Sequence, residues 1–382
     1  MATLVEELTA AYEQEKQNPH APVSADDVPF TFGDITVDWL TTVICAKVPG
    51  AQVLSHELDA PDEGTTNRRR IFVHYNEVGK AAGLPETLFC KASQGLANRI
   101  LLGISQAIQG EVNFFNHVRD QLDVEAPVSC HARYNAALNS IVMMRELDQA
   151  TTFCTHTTEI TKARAEDQLH ILAKMHGKFL DSPELTKSLT MFPYWWETVA
   201  RLNFPQFAAS CDQGFGIAEE VIPPRFFARR KEIWPLTQES AERHRKLPHT
   251  LCHGDDHLRN WYLTADGRMG LNDWQVVNRG HWSRDLIYGI TTSLTIENRR
   301  LWLDDLLRYY HDQLQEAAGR RVPFGGSLDE CRRQLFTALM FWTITLNPTS
   351  DMPDMQPRAP TLEFIRRLST AIDDLDAMDS FK

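Results

Sequence analysis

The feature that most constrains this chain is an ordered run of oxygen- and nitrogen-bearing side chains in its second half. It reads His253-Gly254-Asp255-Asp256-His257-Leu258-Arg259-Asn260, then Trp261-Tyr262-Leu263, a turn at Asp266-Gly267, Met269-Gly270-Leu271, and finally Asn272-Asp273-Trp274. An Asp-Gly pair between two short apolar runs is a hairpin signal. A hairpin returns the chain on itself, so Asp273 is expected to come back toward Asp255 and Asn260. An Asp-x-x-x-x-Asn pair alone is common, because both residues favour turns. The preceding His-Gly, the hairpin and the closing Asp-Trp give the combination its weight.

Phosphoryl transfer needs such a set. A carboxylate must orient the attacking hydroxyl and take its proton, while hard oxygen ligands hold magnesium against the phosphates. In kinases a base Asp stands five residues before a metal-binding Asn, and a second metal-binding Asp follows a hairpin. Asp255, Asn260 and Asp273 have that order and spacing. A metal-dependent hydrolase using His253, Asp255, Asp256 and His257 fits less well. Ligands crowded so closely rarely point at one ion, and no distant matching cluster completes a site.

The pattern His253-Gly254-Asp255-x-His257-x-x-Asn260, followed by Asp273-Trp274, Gly280 and Arg284-Asp285-Leu286, resembles the aminoglycoside phosphotransferase family. That family includes choline, homoserine, macrolide and ecdysteroid kinases. Leu172-Ala173-Lys174-Met175-His176-Gly177-Lys178-Phe179 is similar to its Leu-Ala-x-Leu-His helix, and the likeness spans residues from about 38 to 345. The resemblance implies an α+β, bilobal protein-kinase-like fold with nucleotide bound between the lobes. A small β-rich N-terminal lobe with one key helix would cover residues 1–146, and a larger, mostly helical lobe 147–382. Asp255 would be the base, with Asn260 and Asp273 as Mg2+ ligands. His253 would buttress the loop, and Asp285 would hydrogen-bond its backbone. His176 and His257 are read as packing or loop-shaping residues.

Three departures from the family pattern bear on the acceptor substrate. Asp256 stands where an apolar residue is usual, Leu258-Arg259 replaces Pro-Gly, and His281 replaces Pro. Asp256 and Arg259 are expected to pair on the surface.

Upstream, Ala51 to Leu58, Arg70 to Tyr75 and Thr87 to Ala92 read as strands, with a polar turn over Asp59 to Asn67. Lys91 sits in an otherwise apolar strand, where a charge is costly unless paired. The expected partner is Glu111, opening a helix in which Glu111, Phe115, Val118 and Leu122 recur at helical spacing. Glu111-Val112-Asn113-Phe114-Phe115 resembles the family's Glu-Val-x-Phe-Tyr element, which implies that Lys91 holds nucleotide phosphates. A strand-end lysine that merely snorkels is the alternative. Gly64-Thr65-Thr66-Asn67-Arg68 resembles the family's Gly-x-x-Asn turn in the phosphate-covering loop. ATP is the default co-substrate and GTP stays open.

Ile141 to Met144 reads as a buried strand, and beyond Leu147 the pattern turns helical. Helices are expected over Glu159 to Leu180, over Arg299 to Ala318 with Gly319 as C-cap, and over Thr361 to Met378. Ser327-x-x-Glu330 reads as a capping box opening another.

Net charge is -12, with 51 acidic against 39 basic side chains, which argues against nucleic-acid binding. Seven dispersed cysteines without a C-x-x-C spacing read as reduced thiols of a cytoplasmic protein. The first residues do not look like a secretory signal, and no apolar run is long enough to span a membrane. Only eleven residues separate Asp273 from Asp285, too few for the activation segment of a protein kinase. The acceptor is therefore expected to be a small hydroxylated molecule. Phe192-Pro193-Tyr194-Trp195-Trp196 reads equally as a substrate wall or a packing patch. A catalytically silent kinase-fold binding protein is the alternative from another class. Acceptor identity and oligomeric state are not legible.

Overall fold

The computed structural model describes residues 2–18, 20–349 and 355–382. The chain divides into two compact units, Met1–Gln121 with Pro127–Gln149, and Leu122–Ala126 with Ala150–Lys382.

The first unit is built on an antiparallel sheet. Its strands are β1 (Val53–Leu58), β2 (Asp62–Glu63), β3 (Asn67–Tyr75), β4 (Thr87–Ala92), β5 (Ser129–Tyr134) and β6 (Ser140–Arg145). They run in the order β1-β3-β4-β6-β5, with β2 also on β3. Period-two alternation decides the faces. Ile71, Val73 and Tyr75 of β3, and Leu88, Cys90 and Ala92 of β4, point into one core. There they meet Trp39, Leu40, Val43 and Ile44 of the helix Val37–Ile44, whose first turn is capped by Thr36 accepting from the Trp39 N–H. Alternation sends Lys91 to the other face.

Several boundaries differ from expectation. Strand β3 begins at Asn67, because its arginines pair along the sheet: Arg68 with Asp62, and Arg70 with Asp59 and Glu146. Glu111 does not open its helix. That helix runs Ala107–His117 and follows a separate one, Leu96–Ser105, the two joined at Gln106 in the left-handed region (φ 60°).

The second unit is mostly helical and carries two small sheets. β8 (Thr250–Cys252) pairs with β11 (Asn278–Gly280), while β7 (Thr152–Phe153), β9 (Trp261–Leu263) and β10 (Met269–Leu271) form a three-stranded sheet. The helix Lys162–Phe179 packs along Ile296–Ala318, which ends at Gly319 in the left-handed conformation (φ 61°). Ser283–Ser293 and Arg358–Asp374 both pack on Ser327–Leu346. The expected capping box at that last helix is absent. Gly326 is the N-cap with φ 83°, Ser327 is already helical, and Glu330 pairs with Arg333 instead. The final expected helix is broken at Asp376 (φ 46°), after which a short 3-10 turn covers Ala377–Phe381. Among the described residues no helix is long and apolar enough to cross a membrane.

Candidate active site

Strand β8 delivers the chain into a tight turn at Gly254, whose φ is 82°. A Cβ there would lie 2.6 Å from the Val276 carbonyl oxygen, so only glycine fits. Asp285, buried near the start of the helix Ser283–Ser293, fixes the turn from below. Its two oxygens accept from the backbone N–H groups of His253 (2.5 Å) and Gly254 (3.0 Å). Burial alone would raise this carboxyl, but the hydrogen bond from His176 and the charges of His176, His253 and Arg284 hold it below its ordinary value. His176 is itself oriented: Nε2 faces Asp285 at 3.2 Å and Nδ1 meets the Tyr310 hydroxyl at 2.7 Å.

His253 ties the loop to the returning chain. Its Nδ1 accepts from the Asp255 N–H (3.2 Å), which leaves the proton on Nε2, 3.0 Å from the Asn272 carbonyl oxygen. The ring stands edge-on to Trp274 at 4.7 Å, and burial lowers its pKa. A second tie is the Asn272 N–H donating to the Asn260 carbonyl at 2.8 Å. The Asn260 amide donates through Nδ2 to the Asp255 carbonyl (2.6 Å) and reaches its carboxylate (3.4 Å). Asp273 follows directly in the left-handed conformation (φ 64°), and both Asp255 and Asp273 raise the proton affinity of the His253 and His257 rings. The two carboxylates therefore share one neighbourhood.

Asp255 is half-buried. Its Oδ1 accepts from the Tyr288 hydroxyl at 3.2 Å, and that hydroxyl accepts from the Trp342 indole N–H at 2.8 Å. His257 caps the next turn by accepting from the Arg259 N–H at Nδ1, and its Nε2 stands 3.6 Å from the Asp255 carboxylate.

The expected surface pair of Asp256 and Arg259 does not exist. Arg259 instead bonds to Gln356. Asp256 is fully buried, with neither oxygen hydrogen-bonded among the described residues. Gly289 makes the room: a Cβ on it would come within 2.4 Å of Asp256 Oδ2. Burial, and then the neighbouring Asp285 charge, push the Asp256 carboxyl well above its ordinary value, against the pull of Arg284.

In the first unit Lys91 Nζ lies 2.7 Å from Glu111 Oε1, with Glu111 buried and Lys91 nearly so. Gly64 and Asn67 share one turn. The Asn98 amide donates to the carbonyls of Gly64 (3.0 Å) and Thr65 (2.8 Å), and Asn67 Oδ1 accepts from the Gln94 N–H (2.8 Å). At Gly64 the nearest neighbour of a Cβ would be the movable tip of Arg68, at 3.0 Å.

Sequence reasoning missed Tyr288, Trp342, Asn272 and Asn98. Tyr288 carried a signal, three residues beyond Asp285 on one helix; Trp342 reaches the loop from a distant helix and carried none. In the aromatic cluster, Trp195 is buried against Phe341 and Arg284, while Tyr194 stacks on Trp196 at 4.0 Å and under Arg279 at 3.7 Å.

A sheet bearing a largely buried Lys–Glu pair and a helical unit bearing this loop and hairpin are features of the protein-kinase-like fold of small-molecule kinases. The model of the Ecdysteroid kinase-like family matches residues 128–321, just over half of the chain. The protein belongs to that family. Its fold is similar to that of a microcompartment-associated aminopropanol kinase, with a TM-score of 0.51 at 10% identity over 86% of this chain and 94% of that one. The choline kinase LicA from Streptococcus pneumoniae gives 0.48 at 14% identity, covering 88% and 98%. A Plasmodium vivax ethanolamine kinase gives 0.49 at 11% identity, covering 83% and 81%. At such identities the likeness is one of fold. No curated protein sequence matches the chain.

Proposed function

We propose that this protein transfers the terminal phosphoryl group of ATP, or of GTP, to a hydroxyl of a small molecule. One observation carries the reading: the Asn260 amide bonds to Asp255 while its backbone is tied to Asn272, so the loop and the strand before Asp273 form one scaffold. Asp255 accepts the proton of the attacking hydroxyl. The oxygen–phosphorus bond forms as the bond from phosphorus to the bridging oxygen breaks, and the leaving nucleoside diphosphate keeps that electron pair. Lys91, held by Glu111, engages the nucleotide phosphates, and the turn from Gly64 to Asn67 covers them. His253 and Asp285 hold the loop in place.

Magnesium, which the fold family implies, suits the donors present. Asp273 offers a carboxylate, and Asn260 uses its Nδ2 on Asp255, leaving a hard carbonyl oxygen for a cation. When bound, the ion neutralises phosphate charge. Residues 1–146 would supply the phosphate contacts, and 147–382 the base, the metal ligands and the acceptor pocket.

The test is a mass-spectrometric screen of hydroxylated small molecules with ATP or GTP and magnesium. Gain of one phosphoryl group by an alcohol, lost in Asp255→Asn, is the expected result. Tight nucleotide binding with no phosphorylated product from any alcohol would favour a silent binding protein.

A further inference from the structure

The proposed base has a hydrogen-bonded support from residues outside the sequence motifs quoted above. Tyr288 lies on the helix Ser283–Ser293, one turn beyond Asp285, and its hydroxyl is 3.2 Å from Asp255 Oδ1. An ionised carboxylate can only accept, so the phenol proton goes to Asp255. Trp342 holds the other side of the hydroxyl: its indole N–H, which can only donate, points at the Tyr288 oxygen from 2.8 Å. The hydroxyl is thus held between one donor and one acceptor. Tyr288 is buried, Arg284 lies over its ring at 4.1 Å, and burial keeps the phenol neutral. The ring thus has little freedom to swing the hydroxyl away.

We infer that Tyr288 is a positioning residue for Asp255, and that Trp342 anchors it by holding its hydroxyl oxygen in place. The hydrogen bond holds Oδ1, so that the carboxylate turns Oδ2 toward the incoming hydroxyl. The other side-chain hydrogen bond to this carboxylate, from Asn260, is longer at 3.4 Å and falls on Oδ2. Tyr288 therefore sets the carboxylate's rotation. Trp342 belongs to the helix Ser327–Leu346, beyond the segment that the family model matches, which ends at residue 321.

The inference rests on Asp255 being the base, and a double-mutant cycle separates the two claims. The probe is magnesium-dependent release of inorganic phosphate from ATP, with water as acceptor, by the full chain. Asp255→Asn must first abolish release; retained release sinks the base assignment itself. Given that loss, Tyr288→Phe is expected to lower kcat about tenfold with the KM for ATP within about twofold, the pattern of lost orientation rather than lost binding. Trp342→Phe is expected to lower kcat about threefold. The double variant should be no slower than Tyr288→Phe alone, because both act through one chain of hydrogen bonds. A kcat for Tyr288→Phe within about twofold of the parent, or losses that multiply in the double variant, overturns the inference. A second readout needs no turnover: the 15N-resolved indole N–H signal of Trp342. Asp255→Asn should shift it in the parent and leave it unmoved in a Tyr288→Phe background. A shift of equal size in both backgrounds, or in neither, also overturns the inference.

Discussion

Asp256 and Lys91 are both ionisable side chains held largely out of water, but their surroundings treat a charge in opposite ways. Lys91 has Glu111 at 2.7 Å, so its charge is matched. Removing one member of a buried pair strands the other, and Lys91→Ala should lose about 3 kcal/mol of stability in urea unfolding. It should also weaken ATP binding roughly tenfold, since a charge-assisted contact contributes about 1.5 kcal/mol or more. An unchanged ATP affinity and rate would return Lys91 to a purely structural role. Asp256 has no such match, and its carboxyl is raised in the folded state. A raised carboxyl adds stability that is complete below the ordinary carboxyl range and disappears as pH rises through the folded value. Asp256→Asn removes that dependence. Thermal melts should therefore show the variant gaining on the parent as pH rises from about 5 to about 8. A difference that does not change with pH would show that Asp256 is already ionised in the fold.

Among the elements, the sharpest packing constraint is at Gly214, where the helix Pro205–Ile217 meets Ser327–Leu346. A Cβ there would stand 2.0 Å from the Thr343 carbonyl oxygen, a backbone atom that cannot turn aside. Gly214→Ala should cost about 2 kcal/mol or more by overpacking, read as a lower urea midpoint at unchanged m-value. An unchanged midpoint would mean that the two helices slide apart freely. Elements whose signal is local were the legible ones. Thr87–Ala92 alternates, and Trp261–Leu263 with Met269–Leu271 is closed by its own Asp-Gly turn. Strands β8 and β11 are three residues each and pair across a long stretch of chain, so no local pattern announces them. The helix Leu96–Ser105 was hidden by the apolar run that continues through Gln106 into the next helix. The capping box failed because a left-handed Gly326 had already opened that helix.

For the molecule as a whole, the site was legible where its residues lie close in sequence or are spaced by a hairpin. Asp255 and Asn260 sit on one short loop, and Asp285 reaches back to that loop's backbone. What could not be read was anything set by distant helices: the Trp342 to Tyr288 contact, or the burial of Asp256 that Gly289 permits. Burial depends on what the tertiary fold brings alongside, and a polar Asp-x-x-Arg spacing looks like surface until that is known. The claim on which the account depends is that Asp255 serves the chemistry and not the binding of nucleotide. Its most direct test compares the parent with Asp255→Asn in two assays on the same protein: melting with magnesium and ATP, and phosphoryl transfer or phosphate release. At ATP about a hundredfold above its Kd, binding adds about 2.7 kcal/mol. The account predicts that both proteins show the resulting rise in Tm, while the variant retains less than about a thousandth of the rate. A variant that turns over at the parent's rate would contradict it.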